Sequence, residues 1–285
     1  MSLDHLGTVR EALDRHGLAA RKSFGQHFLL DLNITRKVAR AAGDLAGRAV
    51  LEVGPGPGGL TRALLETDAA HVIAVEKDAR FLPLLQELAA ASVGRLTVVE
   101  ADALEVDEAA LLAARAPTGA PLKIVANLPY NVGTPLLVKW LTGVQPVETL
   151  ALMFQKEVAE RIVAAPGGGD YGRLAVLSQS LAEAEIAFTL PARAFTPPPK
   201  VDSAVAVLRP RAERLPAAKL AALEAVTRAA FGQRRKMLRS SLKPLGGEAL
   251  CAAAAIDPSG RAEQLTIADF GRLAQAVASG SSSRP

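Results

Sequence analysis

Cysteine is all but absent from this chain. Cys251 stands alone among 285 residues, which excludes an internal disulfide and makes a reducing, cytoplasmic setting the expectation. Histidine is nearly as scarce, with four scattered copies. Neither residue type recurs at a metal-ligand spacing, so no metal is expected. No apolar run approaches the ~18 residues of a membrane span, and no membrane partner is read. The opening stretch, MSLDHLGTVREALDRHG, interleaves acids with bases and lacks a hydrophobic h-region, which speaks against a signal or transit peptide. There is no internal repeat and no pattern of an oligomer interface, so a monomer is expected.

What is present is a hydrophobic fraction of 49%, ample for one large domain with a smaller appendage. Charge is unevenly placed. Residues 1–208 carry 20 Lys and Arg against 23 Asp and Glu, a net −3, whereas residues 209–285 carry 13 against 6, a net +7. A basic appendage on a near-neutral body fits a polyanionic partner, and equally fits a solvated helix face.

Short β-branched runs alternate with Ala/Leu-rich helical stretches. Strands are expected at 48–53, 71–75, 96–99, 122–126, 149–154, 184–190 and 203–210, with helices near 59–67, 79–91, 107–115, 134–141 and 155–163. Continuous apolar strands alternating with helices predict a mostly parallel sheet covered on both faces. The last two strands are joined by PARAFTPPPKVD, too proline-rich for a helix, which predicts an antiparallel pair at the sheet edge. Beyond Pro210 the pattern turns helical throughout. The expected organisation is therefore an α/β domain at 1–209, a small all-helical domain at 210–278, and a disordered SGSSSRP tail at 279–285.

LEVGPGPGGLT leaves the first of these strands and enters a helix. Gly54, Gly56 and Gly59 satisfy the G-x-G-x-x-G fingerprint of Rossmann-like dinucleotide sites, a weak discriminator alone. Three features favour S-adenosylmethionine over NAD. Glu52 precedes the first glycine by two residues, where it either faces the ligand or braces the loop. Pro55 and Pro57 remove N–H donors that a pyrophosphate would use. Asp102 after the third strand can accept from an adenine amino group, whereas Glu76 after the second can hold ribose hydroxyls with either cofactor.

The fourth strand exits through Asn127, Leu128, Pro129 and Tyr130. The exocyclic amine of a base is a poor nucleophile, because its lone pair is delocalised into the ring. Acceptors that hold its N–H groups favour a pyramidal nitrogen. The Asn127 side-chain carbonyl and the Leu128 main-chain carbonyl supply two, and Pro129 fixes the aim of the second. Tyr130 offers a stacking face worth roughly 1–3 kcal/mol per base. Together the four residues read as a cradle for a flipped-out amino base.

At this point the chain resembles a specific family, the small-subunit ribosomal RNA adenine N6,N6-dimethyltransferases. RKSFGQHFLLD, LEVGPGPGGLT, NLPYNVGTPLL, MFQKEVAERIVA, YGRLAVLSQ, AFTPPPKVDSAVAVLRP and FGQRRKMLRSSL follow in the family's order. The resemblance implies a Rossmann-like class I methyltransferase domain with a helical RNA-binding domain after it. It implies S-adenosyl-L-methionine contacts at His27, Leu29, Gly54, Gly56, Glu76, Lys77, Asp102, Ala103 and Asn127. His27 stands where the family usually has Asn. The resemblance further implies that Phe195 is a second stacking face opposite Tyr130. The implied reaction dimethylates N6 of two adjacent adenosines in the 3′-terminal hairpin loop of the small-subunit (16S) RNA, on immature 30S particles. Gly133 and Thr134 are the small residues expected to leave room for a monomethylated base.

Arg21 and Lys22 lie beside aromatics on an N-terminal arm. Arg234, Arg235, Lys236, Arg239 and Lys243 cluster near the basic end, and Lys200 follows the prolines. On one continuous helix, positions 235, 239 and 243 would form a basic stripe suited to phosphates, or a merely solvated face. Two competing readings remain at this level: a non-catalytic ribosome-assembly factor that binds RNA, and an NAD-dependent dehydrogenase resting on the literal glycine fingerprint.

Overall fold

The computed structural model describes residues 3–18, 26–117, 119–143 and 145–281. In chain order the regular elements are α1 (Val9–Arg15), β1 (Phe28–Leu29), α2 (Leu32–Ala41), β2 (Ala49–Val53), α3 (Gly59–Leu65), β3 (His71–Glu76), α4 (Leu82–Ala91), β4 (Leu96–Glu100), α5 (Glu108–Arg115), β5 (Leu122–Asn127), α6 (Gly133–Thr142) and β6 (Val147–Gln155). Then follow α7 (Lys156–Val163), α8 (Arg173–Leu181), β7 (Ala182–Leu190), β8 (Phe195–Thr196), β9 (Ser203–Pro210), α9 (Ala217–Gly232), α10 (Leu238–Ser241), α11 (Gly247–Ala253) and α12 (Ile267–Ser281).

The main sheet has the order β4-β3-β2-β5-β6-β9-β7. β2 through β6 pair in parallel, and β9 returns antiparallel against β6. All five residues of β2 and all six of β3 are buried, as a parallel sheet covered on both faces requires. This is the mostly parallel sheet that the alternation predicts, with the reversed edge supplied by the strands flanking the prolines, and the class I methyltransferase architecture that the family resemblance implies. The strand order reverses between β2 and β5. The carboxyl ends of those two strands therefore diverge, and the crevice between them is where an open α/β sheet takes its ligand.

A second, two-stranded sheet was not foreseen. β1 pairs antiparallel with β8, Phe28 opposite Thr196 and Leu29 opposite Phe195. It ties the start of the chain to the segment before the triple proline.

The chain divides into two compact units, residues 1–159 with 185–209, and residues 160–184 with 210–285. The helical unit thus takes in α8 as well as the C-terminal helices expected of it. Its core is aromatic: Phe231 stacks on Phe270 at 5.5 Å, Tyr171 meets Phe231 edge-on at 6.0 Å, and the buried Tyr171 hydroxyl donates to the Leu265 carbonyl at 2.9 Å. α12 continues to Ser281, into the segment expected as a disordered tail. Its Ala-rich last turns carry enough helix propensity to propagate once the helix is nucleated. Residues 282–285 lie outside the described residues.

Candidate functional site

The crevice over β2 and β5 is open to solvent. Its floor is the loop from Gly54 to Gly59. Gly54 has φ +67° and Gly56 has φ +52°, values that L side chains rarely adopt. A Cβ at Gly54 would lie 3.4 Å from the Pro129 ring. The glycine loop and the exit of β5 thus lie side by side, and both line one crevice.

Glu76 ends β3 and is buried. One carboxylate oxygen accepts from the Gly56 N–H at 2.9 Å, the other from the Asp78 N–H at 2.8 Å. Burial pushes its pKa up, while these two N–H groups pull against that by favouring the charged form. In this arrangement Glu76 first fastens the glycine loop. Each carboxylate oxygen has a second lone pair, so ribose hydroxyls can still be accepted.

Glu52 is more deeply buried, at 1% exposure, and its Oε2 has no hydrogen-bond partner among the described residues. Loss of water, with some repulsion from Glu76, pushes its pKa up to about 8, so the group is largely protonated at neutral pH. An acid of raised folded pKa makes the folded state hold a proton that the unfolded chain releases. Its stabilising contribution is complete below the ordinary 4.5 and is lost as pH climbs through about 8. We expect Glu52→Gln to flatten the decline of stability between those pH values, a decline that this one group drives at up to about 1.4 kcal/mol per pH unit. Urea unfolding at a series of pH values checks it; parallel slopes for the two proteins would refute the assignment.

Asp102 follows β4. Its carboxylate accepts from the Lys77 ammonium at 2.7 Å and from the Leu104 N–H at 3.0 Å. Lys77 chiefly, then the Leu104 N–H, holds its pKa below the usual carboxylate value. Lys77 itself is exposed, and it reaches the crevice through that ion pair. Ala103 turns its carbonyl away, to Lys139 on α6.

Asn127 closes β5. Its Nδ2 donates to the His27 carbonyl at 3.1 Å. That bond fixes which arm of the amide is which, and leaves Oδ1 as the acceptor arm beside the crevice that Asn127 lines. Leu128 is buried and Pro129 lies beside Gly54. The Pro129 carbonyl takes the Val132 and Gly133 N–H groups and so starts α6. The Tyr130 hydroxyl shares a hydrogen bond with Ser203 Oγ at 2.7 Å, which holds the ring at the mouth. The His27 ring lies 5.6 Å from it, tilted by 31°, and His27 Nδ1 donates to the Pro197 carbonyl at 2.8 Å. Leu29, in β1, backs the loop: a Cβ at Gly59 would sit 2.5 Å from its carbonyl oxygen. His27, Leu29, Gly54, Gly56, Glu76, Lys77, Asp102, Ala103 and Asn127 all line the one crevice, as do Leu128, Pro129 and Tyr130.

Other expectations are corrected. Phe195 is not among the residues that line the crevice. Its ring is 3% exposed in the hydrophobic core, because β8 alternates and turns Thr196 outward instead. Gly133 makes no room for a methylated base: a Cβ there would meet the Phe154 ring at 3.1 Å, so its smallness serves packing beneath α6.

The basic residues do not form one helical stripe. α9 ends at Gly232, Arg235 and Lys236 lie exposed in a turn, and α10 restarts at Leu238 carrying Arg239, with Lys243 beyond it. The break is fixed by tertiary bonds, Leu238 N–H to the Gly260 carbonyl and Arg239 N–H to the Pro258 carbonyl. Arg234 is spent locally on the Gly169 carbonyl at 2.8 Å and on Glu263 at 3.1 Å. Lys200 is exposed after the prolines. Arg21 and Lys22 lie outside the described residues.

Residues that the sequence reading missed line the crevice beside Glu76. Gln26 Nε2 donates to Asp78 at 2.9 Å, and Asp78 is paired with Arg80. Only the proximity of Asp78 to Glu76 signals them.

Three comparisons bear on this geometry. Residues 17–279 match the family model described as ribosomal RNA adenine dimethylase. The chain is 64% identical over 276 residues to ribosomal RNA small subunit methyltransferase A of Phenylobacterium zucineum, covering 97% of this chain and 94% of that one. It is 62% identical over 261 residues to the protein of the same name from Caulobacter vibrioides, covering 92% and 98%. Among solved structures, a dimethyladenosine transferase from Plasmodium falciparum superposes with a TM-score of 0.70 at 25% identity, covering 87% of this chain and 96% of the other. The 23S rRNA methyltransferase ErmE superposes with a TM-score of 0.65 at 30% identity, covering 88% and 99%.

Proposed function

The chain belongs to the ribosomal RNA adenine dimethylase family, and from that premise we propose that it transfers methyl groups from S-adenosylmethionine to N6 of adenosines in small-subunit ribosomal RNA. The finer reading is that two adjacent adenosines in the 3′-terminal hairpin loop each receive two methyls, that the substrate is an immature 30S particle, and that the enzyme acts as a monomer. The observation carrying this reading is that the glycine loop and the Asn127–Tyr130 exit of β5 line one crevice, with Pro129 beside Gly54. The dehydrogenase reading leaves the Asn127 amide without a task.

The residues fit the cofactor. Gly54 leaves the space a side chain would fill, Glu76 and Asp102 present carboxylate oxygens, and the partnerless Glu52 oxygen adds a buried polar atom at the crevice wall. When bound, S-adenosylmethionine supplies an electrophilic methyl on a positively charged sulfur. Asn127 Oδ1 then accepts one N–H of the adenine amine and the Leu128 carbonyl the other, which draws the nitrogen lone pair out of the ring plane. Tyr130, fixed by Ser203, holds the base by its face. Catalysis is by position and polarisation, and no covalent enzyme intermediate is needed. Among the described residues no helix is long and apolar enough to cross a membrane and no group of side chains is arranged to hold a metal ion.

The test is incubation of undermethylated small subunits with labelled S-adenosylmethionine, followed by mass spectrometry of 3′ RNA fragments. Two methyls on each of two neighbouring adenosines are expected. Label on another fragment would overturn the target, and an absence of transfer would overturn the activity.

A further inference from the structure

We propose that Lys139 is a positioning residue for the adenine end of the cofactor site, clamping the loop after β4 to the helix that follows Asn127. The proposal rests on the placement of the adenine at Asp102.

α6 begins directly at the exit of β5, so anything anchored to α6 is referenced to the methyl acceptor's side of the crevice. From the second turn of that helix the Lys139 ammonium reaches across to the opposite side. It donates to the Ala103 carbonyl at 2.8 Å and to the Val106 carbonyl, and forms an ion pair with Glu108 Oε1 at 2.8 Å. Two of the three ammonium N–H groups are thus given to backbone carbonyls of one loop, with a carboxylate beside them. Glu108 is held in turn by the indole N–H of Trp140 at 2.8 Å. The pair is largely withdrawn from water, with the Lys139 side chain 25% and the Glu108 side chain 12% exposed.

The loop so gripped is short. Asp102 turns it through its bond from the Leu104 N–H, and Asp107 ends it by capping α5 at the Ala110 N–H. Lys139 thus gathers one carbonyl adjacent to Asp102 and one adjacent to Asp107. Without it, two carbonyls and a carboxylate converge on an empty point, and the segment carrying Asp102 must move to find water. The charge of Lys139 also helps to keep Asp102 ionised, behind the larger effect of Lys77.

The molecule contains its own control. Lys123, at the other end of β5, is buried and donates to the Ala42 and Asp44 carbonyls at 2.8 Å each, with Glu148 at 3.6 Å. It has the same chemistry and lies away from the crevice.

The experiment compares Lys139→Met, Lys139→Gln, Lys123→Met and Asp102→Ala in the full chain. Calorimetric titration with S-adenosylhomocysteine, steady-state kinetics and thermal unfolding are read for each. Orphaning buried acceptors beside a ligand loop should raise the dissociation constant and the cofactor KM of Lys139→Met about tenfold or more. Its kcat at saturating cofactor and its KM for RNA should stay within about twofold of the parent, since neither Asn127 nor the RNA face is touched. Lys123→Met should lose a similar amount of thermal stability with unchanged cofactor affinity. The double variant Lys139→Met with Asp102→Ala should lose less affinity than the two single losses combined.

Parent-like cofactor affinity in both Lys139 variants overturns the proposal. So does an affinity loss no larger than that of Lys123→Met, or one that only tracks the folded fraction. If Asp102→Ala binds like the parent, the adenine placement itself fails. If Asp102→Ala is weak and both Lys139 variants are not, the placement stands and the clamp alone is refuted.

Discussion

Asn127→Ala should lower the single-turnover rate of methyl transfer by about 10²–10³, the loss that follows removal of one preorganised group acting on the transition state. RNA affinity and cofactor affinity should change far less. The expectation follows from where the amide sits. Its Nδ2 is committed to the His27 carbonyl, so rotation does not present the donor arm, and Oδ1 is the group that the adenine amine meets under the proposed function. Alanine removes the acceptor and the tether together. Asn127→Asp separates them: it keeps an acceptor oxygen but sets a carboxylate against the His27 carbonyl. We expect its rate to fall between alanine and the parent. Rapid-quench assays with labelled cofactor, beside filter binding of the RNA, decide the matter. An alanine variant with parental rate would remove Asn127 from the chemistry, and one that has merely lost RNA affinity would make it a docking residue.

The sheet was legible because its signal is local. Every expected strand recurs within two residues of its predicted ends, since continuous apolar β-branched runs between helical stretches have one good way to be buried. The crevice was legible for a similar reason. Gly54, Glu76, Asp102 and Asn127 each end a strand or follow one, and parallel strands deliver such residues to one edge. Illegible features depend on partners far away in sequence. β1 and β8 are two residues each and pair across a separation of more than 160 positions, too short to show periodicity. The Phe195 ring follows from that pairing, so its burial was hidden with it. The basic stripe failed because counting by fours assumes an unbroken helix. Gly232 and three adjacent cations end α9, and carbonyls of Pro258 and Gly260 hold the backbone of the next turn. Those cations stand instead on a turn and a short helix. Lys139 gave no warning at all, because a lysine on an apolar helix reads as a solvated tip.

Glu76→Ala should weaken cofactor binding by about 10²-fold or more and lower the melting temperature as well. The carboxylate is the shared acceptor of the Gly56 and Asp78 N–H groups. Losing it leaves two donors without partners at a buried site, each costing roughly 1–3 kcal/mol. The glycine loop, held in left-handed dihedrals at Gly54 and Gly56, then loses the bond that selects that conformation. Glu76→Gln should be milder, because its amide oxygen still accepts from one N–H while its NH2 faces the other. A stability loss alone would show only that Glu76 braces the loop. To isolate the ribose contact, S-adenosylhomocysteine is titrated beside an analogue lacking the ribose hydroxyls, into parent and Glu76→Gln. If the carboxylate holds the hydroxyls, the analogue binds the parent poorly, and the variant discriminates far less between the two ligands. If the discrimination is the same in both proteins, Glu76 acts through the Gly56 N–H alone, and the ribose must find its acceptor elsewhere along the crevice.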